Sequence, residues 1–83
     1  MPKTSQKRET LRVSTNIEGT PVSLVRNAKP ERITRIYQQW HRPAEDSRDS
    51  NRTYFKIRTS KGLICDIYRE GLSQAWHISR VYD

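Results

Sequence analysis

Several residue types on which small catalytic or metal-binding proteins depend are scarce in this chain. Among 83 residues there are one cysteine and two histidines, and their positions do not have the spacing of a zinc site. A lone cysteine cannot form an internal disulfide, which favours a reducing cytoplasm. The three glycines stand apart from one another and supply no phosphate-binding loop. We therefore expect no metal, no cofactor and a cytoplasmic location.

Apolar residues are also few. They make up 33% of the sequence, and the mean hydropathy is -0.98. No apolar run approaches the roughly 20 residues of a membrane-spanning helix, and the opening residues do not resemble a signal peptide. A chain of this size has room for one small domain with a thin core. We expect a monomer that does not bind membranes.

Positive charge, in contrast, is abundant. Sixteen Lys and Arg residues face nine Asp and Glu residues, a formal net charge of +7, and eleven of the sixteen are arginines. The planar guanidinium fork suits phosphate recognition, and a positive excess attracts polyanions, of which DNA and RNA are the commonest in a cytoplasm. The same charge could also serve solubility alone.

The densest basic segment is residues 21–40. It carries Arg26, Lys29, Arg32 and Arg35 against Glu31. We predict a short strand over residues 22–26, followed by turn residues 27–30. Its pairing with the strand favoured below for residues 31–42 would gather these four cations at one end of the sheet, as the first candidate site for polyanion contact. The alternative is a solvated hairpin edge whose charges discourage aggregation.

The chain divides into a polar beginning and a patterned remainder. Residues 1–20 lack a sustained apolar period, so we predict a disordered basic arm over residues 1–20 and a folded domain over residues 21–83. Leu11 and Val13 alternate with polar residues, and an edge strand there is the less favoured alternative.

Residues 31–42 permit two interpretations. Ile33, Ile36, Tyr37 and Trp40 recur at helical spacing. The β-branched and aromatic composition favours a strand instead, and a single bulge near Arg35 would restore the alternation of a strand. We favour the bulged strand over the helix.

The last third of the chain alternates as three strands, over residues 53–59, 63–69 and 75–82. Ser60-Lys61-Gly62 fits a three-residue hairpin turn with Gly62 in the left-handed conformation. Placing Thr59 opposite Leu63 then sets Tyr54 opposite Tyr68.

The same register produces two distinct faces. In the second hairpin, Trp76 is predicted opposite Ile67, which places Asp66 opposite His77. The result is an all-β antiparallel meander of about five strands, curled toward an SH3-like or partly open barrel. Its predicted apolar face consists of Phe55, Ile57, Leu63, Cys65, Ile67, Trp76 and Ile78.

The opposite face interleaves aromatic and basic side chains, a pattern typical of a stacking platform for single-stranded nucleic acid. The alternative is a set of ordinary cross-strand pairs on a solvated sheet. This face is predicted to hold Tyr54, Lys56, Arg58, Asp66, Tyr68 and His77. The candidate nucleic-acid-binding residues are thus Arg26, Lys29, Arg32, Arg35, Tyr54, Lys56, Arg58 and Tyr68.

Catalysis has little support in the sequence. Cys65 falls on the predicted apolar face, where a thiol behaves as a small hydrophobe, and His77 points to the other face. Asp66 and His77 could orient one another, but no nucleophile is placed to use them. We expect that the protein is not an enzyme.

Three segments together resemble a known family. They are PxxIxxIYxxW (residues 30–40), YFKIRTxxGLICDIYR (residues 54–69) and WHISRVYD (residues 76–83). They are similar to a small bacterial domain that occurs alone and at the C-terminus of mutasome proteins related to Y-family DNA polymerases. The family often has a Trp-Arg-Gly element in its first hairpin, which the sequence LVRNA replaces here.

What the resemblance implies is a setting in DNA maintenance and no catalytic residues, since the family has no established activity. Taken with the charge, it leads us to expect a non-catalytic basic module that contacts nucleic acid. The alternative is an interaction adaptor that docks on a larger, polymerase-like protein partner through a free sheet edge.

Overall fold

The computed structural model describes residues 11–82, which form one six-stranded antiparallel sheet with the strands in sequence order. No helix occurs among these residues, so none in this part of the chain could cross a membrane. The predicted all-β meander is confirmed, with six strands in place of about five. The strands are β1 (Arg12–Thr15), β2 (Pro21–Arg26), β3 (Lys29–Arg42), β4 (Arg52–Thr59), β5 (Ile64–Glu70) and β6 (Trp76–Tyr82).

Strand β3 is 14 residues long and joins two halves of the sheet. Its residues Lys29–Arg32 pair with β2, whereas Ile33–Arg42 pair with β4. Register shifts at Thr34 and Tyr37 mark two irregularities in the β3–β4 pairing, and such bulges bend a strand and increase its twist. The prediction of a bulged strand is confirmed, and the second bulge, at Tyr37, is an addition to it.

The sheet curls until its first and last strands approach each other. The Leu11 amide donates a hydrogen bond of 3.4 Å to the Trp76 carbonyl, an isolated antiparallel bridge. This closure produces the predicted partly open barrel and encloses a small core. The buried core residues are Leu11, Leu24, Phe55, Ile57, Cys65, Ile67 and Trp76, with Val13, Ile33, Ile36, Leu63 and Ile78 packed against them.

Part of the predicted disordered arm is ordered structure. Strand β1 pairs with β2, and Leu11 is only 5% exposed. The Asn16 side-chain carbonyl accepts 2.9 Å hydrogen bonds from the amides of Glu18 and Thr20, which stabilises the turn between the two strands. Two apolar side chains form too short a pattern to predict a strand, but they suffice to dock on an existing core. The described fold thus begins at Leu11, and the predicted disorder of residues 1–10 lies outside the described residues.

The β4–β5 hairpin has the predicted register. Gly62 has a φ of 86°, the left-handed conformation expected at this turn position. The Thr59 amide donates a 2.9 Å hydrogen bond to the Leu63 carbonyl, and Tyr54 lies opposite Tyr68. One face of this hairpin therefore enters the core and the other faces away from it.

The predicted register of the β5–β6 hairpin is wrong by two residues next to the turn, where Ile67 lies opposite Ile78. Beyond the bulge between Asp66 and Ile67 it is wrong by three residues, and Asp66 lies opposite Arg80. The hairpin closes at a 2.9 Å hydrogen bond from the Glu70 amide to the Ala75 carbonyl. Glu70 therefore belongs to the paired strand and not, as predicted, to the loop. A shift of two residues keeps each side chain on its face of the sheet, and the bulge takes up the third residue. All seven residues of the predicted apolar face consequently lie in the core or pack against it.

Truncation of Leu11 tests whether β1 belongs to the folding unit. Leu11→Ala should lower the free energy of unfolding by about 2–5 kcal/mol, as expected for a buried leucine. Ile17→Ala is the matched control, because Ile17 is 100% exposed in the β1–β2 turn and should change stability by less than about 0.5 kcal/mol. Urea unfolding measures both variants. Equal, small effects would show that the docking of Leu11, the residue that precedes β1, contributes nothing to folding.

Candidate nucleic-acid interface

Four aromatic rings form a continuous row on the face of β3–β6 that points away from the core, here called the outer face. Trp40, Tyr54, Tyr68 and His77 come one from each strand, and we call this row the aromatic ladder. Successive ring centroids are 5.1, 5.0 and 5.1 Å apart. The ladder exists because these residues occupy directly opposite positions in the three pairings.

The aromatic ladder uses most of its ring faces internally. Tyr54 lies between Trp40 and Tyr68 and is only 7% exposed. Tyr68 in turn lies between Tyr54 and His77. The middle of the predicted stacking platform therefore has no free face for a base, and its rings stabilise the sheet instead, with each aromatic pair contributing about 0.5–1.5 kcal/mol beyond area burial.

Cations of the outer face lie over aromatic rings. The Arg52 guanidinium carbon is 4.6 Å from the Tyr68 centroid. The Lys56 Nζ is 4.4 Å from the Tyr82 centroid and 5.8 Å from that of Tyr37. Arg35 contacts the Tyr37 ring and Arg80 the Tyr82 ring, at 5.3 and 5.6 Å. Such contacts hold the charged groups at the surface without neutralising them.

Two pairs of arginines lie directly opposite each other on β3 and β4. They are Arg35 with Arg58 and Arg42 with Arg52, and like charges at opposite positions destabilise a sheet. Within residues 11–82, the only ion pair that involves any of these four is a 3.5 Å contact from Arg42 to Glu45, with both side chains largely exposed. Positive charge thus accumulates along this pair of strands.

The electrostatic effect of these arginines is visible at Tyr54. Burial acts to raise the pKa of its phenol, but a 3.3 Å hydrogen bond from Arg52 and the nearby charge of Arg42 outweigh burial, so that the pKa is lowered overall. The positive potential of these arginines, which stabilises a phenolate oxygen, would also stabilise a phosphate oxygen beside them.

The acidic side chains of the outer face are engaged by their neighbours. Glu70 accepts hydrogen bonds from the Ser73 hydroxyl at 2.9 Å and from His77 at 3.3 Å, and these contacts lower its pKa, with Ser73 the larger cause. Asp66 is 6% exposed and accepts a 2.8 Å hydrogen bond from the Tyr82 hydroxyl. The predicted Asp66–His77 pair does not form, because of the shifted register.

The structure separates the four predicted cations of residues 21–40. Arg26 and Lys29 are opposite each other at the β2–β3 turn, whose two residues Asn27 and Ala28 both have positive φ. Arg35 is six residues beyond Lys29 along β3, roughly 20 Å at the rise of a strand. It belongs to the outer face with Arg58, and the four do not form one cluster at one end of the sheet.

The remaining predicted residues lie together, whereas several members of the outer face were missed. Tyr54, Lys56, Arg58 and Tyr68 share the outer face through the confirmed β4–β5 register. For the missed residues of β3 the signal was the bulges, since alternation resumed after them places Trp40 opposite Tyr54. The members that sequence reasoning missed are Tyr37, Trp40, Arg42, Arg52, Arg80 and Tyr82.

Neither a metal site nor a known relative adds information on the function of this face. Residues 11–82 contain no group of three or more His, Cys, Asp or Glu side chains that could hold a metal ion. No protein-family model, no curated protein and no solved structure matches the chain. The resemblance to the mutasome-associated domain accordingly stays a prediction.

A double-mutant cycle tests the energetic role of the aromatic ladder. Trp40→Leu and Tyr54→Leu, alone and combined, should give a coupling energy of about 0.5–1.5 kcal/mol from denaturant unfolding, because the rings stack nearly parallel. A parallel cycle of Tyr37→Leu with Tyr54→Leu is the control and should show coupling below about 0.5 kcal/mol. Equal coupling in both cycles would contradict a specific ring contact.

The buried cysteine gives a prediction on reactivity. Cys65 is 0% exposed, and desolvation by burial raises the pKa of its thiol to about 11. The thiolate is the reactive form, so the native protein should react with a disulfide reagent at pH 8 far more slowly than the protein unfolded in guanidinium. Absorbance of the released thiol measures both rates. Similar rates would show that Cys65 is accessible in the native state.

Proposed function

We propose that the protein is a non-catalytic module that binds nucleic acid through its outer face. The observation that carries this proposal is the pair of opposed arginines at each end of the β3–β4 pairing, Arg35 with Arg58 and Arg42 with Arg52. Two opposed guanidinium groups gain most from a bridging anion, and phosphate oxygens accept from the guanidinium fork in bidentate geometry.

The span of these charges supports a polymeric anion. Arg52 and Arg58 are six residues apart on β4, roughly 20 Å at the rise of a strand, which is longer than a single phosphate group. Lys56 lies between them, held on aromatic rings. A row of cations on one face is the electrostatic footprint of a protein that follows a phosphate backbone.

The salt dependence of oligonucleotide binding tests this function. Binding measured by fluorescence anisotropy should weaken steeply as salt increases, because each phosphate contact releases counterions. Arg35→Gln and Arg58→Gln should each lower the slope of log K against log salt by about 1.

Matched controls separate a local site from net charge. Arg12→Gln and Arg48→Gln remove the same charge from exposed positions on β1 and in the β3–β4 loop, and should leave the slope nearly unchanged. If all four variants weakened binding equally, net charge alone would be responsible. No binding at low salt would refute the function.

A protein-binding function is the second candidate, supported by the edge of β6. This strand pairs with β5 on one side, and among residues 11–82 its other side makes only the bridge between Leu11 and Trp76. A partner strand could add to the remaining edge. A protein partner retained after nuclease treatment and lost in Val81→Lys, which places a charge on this edge, would favour this alternative.

A further inference from the structure

We propose that the nucleic acid is single-stranded and lies along the free edge of β3, where two of its bases stack on Trp40 and Tyr37. This inference rests on the proposed nucleic-acid-binding function and adds the class of nucleic acid and its path. The free edge is the side of residues Ile33–Arg42 that faces away from β4.

The change of partner along β3 creates this edge. Pairing with β2 ends at Arg32, and from Ile33 onward every paired residue of β3 faces β4. Within residues 11–82 no strand covers the other side. Its flanking arginines, Arg35 and Arg42, give the edge the positive charge that suits a phosphate backbone.

The aromatic ladder ends at this edge with an open ring face. The Trp40 ring lies within 7° of parallel to the Tyr54 ring, at a centroid distance of 5.1 Å. Its other face consequently points away from β4, toward the side where no strand pairs, and Trp40 is partly exposed. A base stacked there would form the next layer of a stack that the sheet has already ordered.

Tyr37 offers a second ring on the same strand. It is 42% exposed and lies at the second bulge of β3, a feature that re-aims a side chain. Arg35 and Lys56 lie 5.3 and 5.8 Å from its centroid. Both cations lie over the ring, so a base that stacks on Tyr37 displaces one of these flexible, exposed side chains, which then lies beside the adjoining phosphates.

The spacing of the two rings selects single strands. Tyr37 and Trp40 are three residues apart on a strand, roughly 10 Å, whereas successive bases stacked in a duplex are about 3.4 Å apart along each strand. Both faces of an internal duplex base are also covered by its neighbours. Only an unstacked strand can present bases to both rings.

Fluorescence of Trp40 tests the proposal directly. The chain has two tryptophans, so Trp76→Phe leaves Trp40 as the single reporter. In this background, a thymidine 12-mer should quench the emission of Trp40, whereas the duplex of the same 12-mer with its adenosine complement should leave it nearly unchanged.

Affinities measured by anisotropy complete the test. Trp40→Leu and Tyr37→Leu should each weaken binding of the thymidine 12-mer by about 5- to 150-fold, the range for loss of one base–aromatic stack. Duplex affinity should change less than twofold. Thermal unfolding would report whether Trp40→Leu disturbs folding. If it does, Tyr37→Leu still tests the proposal, because it alters an exposed side chain.

The outcomes separate this inference from the function on which it rests. Equal affinity for single strand and duplex, without quenching of Trp40, would overturn the inference and leave nucleic-acid binding intact. Single-strand binding that Tyr37→Leu and Trp40→Leu both leave unchanged would overturn the proposed path. Absence of binding to either oligonucleotide at low salt would refute both proposals.

Discussion

The whole structure depends on the division of β3 between two partners. Its first four residues pair with β2 and eight of the remaining ten pair with β4, and the bulge at Thr34 allows the strand to turn between them. This turn brings Leu24 and Leu11 over the inner face of β4 and β5, so that a chain with few apolar residues can enclose a core. It also leaves half of β3 with a neighbour on one side only.

The two faces of the β4–β5 hairpin have different roles because side chains alternate along a strand. Ile57 and Ile67 are fully buried on the inner face. On the outer face Tyr54 and Tyr68 continue the row of rings from Trp40. One register therefore determines both the core and the position of the basic and aromatic surface, and a slip of one residue would destroy both.

The sequence predicted best where alternation and turn chemistry agree. The Ser60-Lys61-Gly62 turn determined the register of the β4–β5 hairpin, and both the tyrosine pair and the apolar face followed from it. Sequence reasoning failed where a contact between residues far apart in the sequence decides the structure. Leu11 is ordered because it reaches Trp76, 65 residues later, and no local pattern reports this contact.

Bulges explain most of the remaining errors. The β5–β6 hairpin closes at Glu70 and Ala75 and has a bulge between Asp66 and Ile67, so Asp66 meets Arg80 and not His77. In β3 the spacing of Ile33, Ile36 and Trp40 resembles a helix because the two bulges interrupt the period of two. The candidate site was therefore predicted on β4 and β5, while its extension onto β3 depends on irregularities that composition alone does not locate.

The most direct measurement is a titration of the labelled protein with a thymidine 12-mer at low salt, followed by amide chemical shifts residue by residue. Binding at the outer face and the free edge of β3 predicts the largest shifts at residues 35–42 and 52–58, with little change at residues 12–26. Shifts confined to the β2–β3 turn at residues 26–29, or no shifts at all, would contradict it.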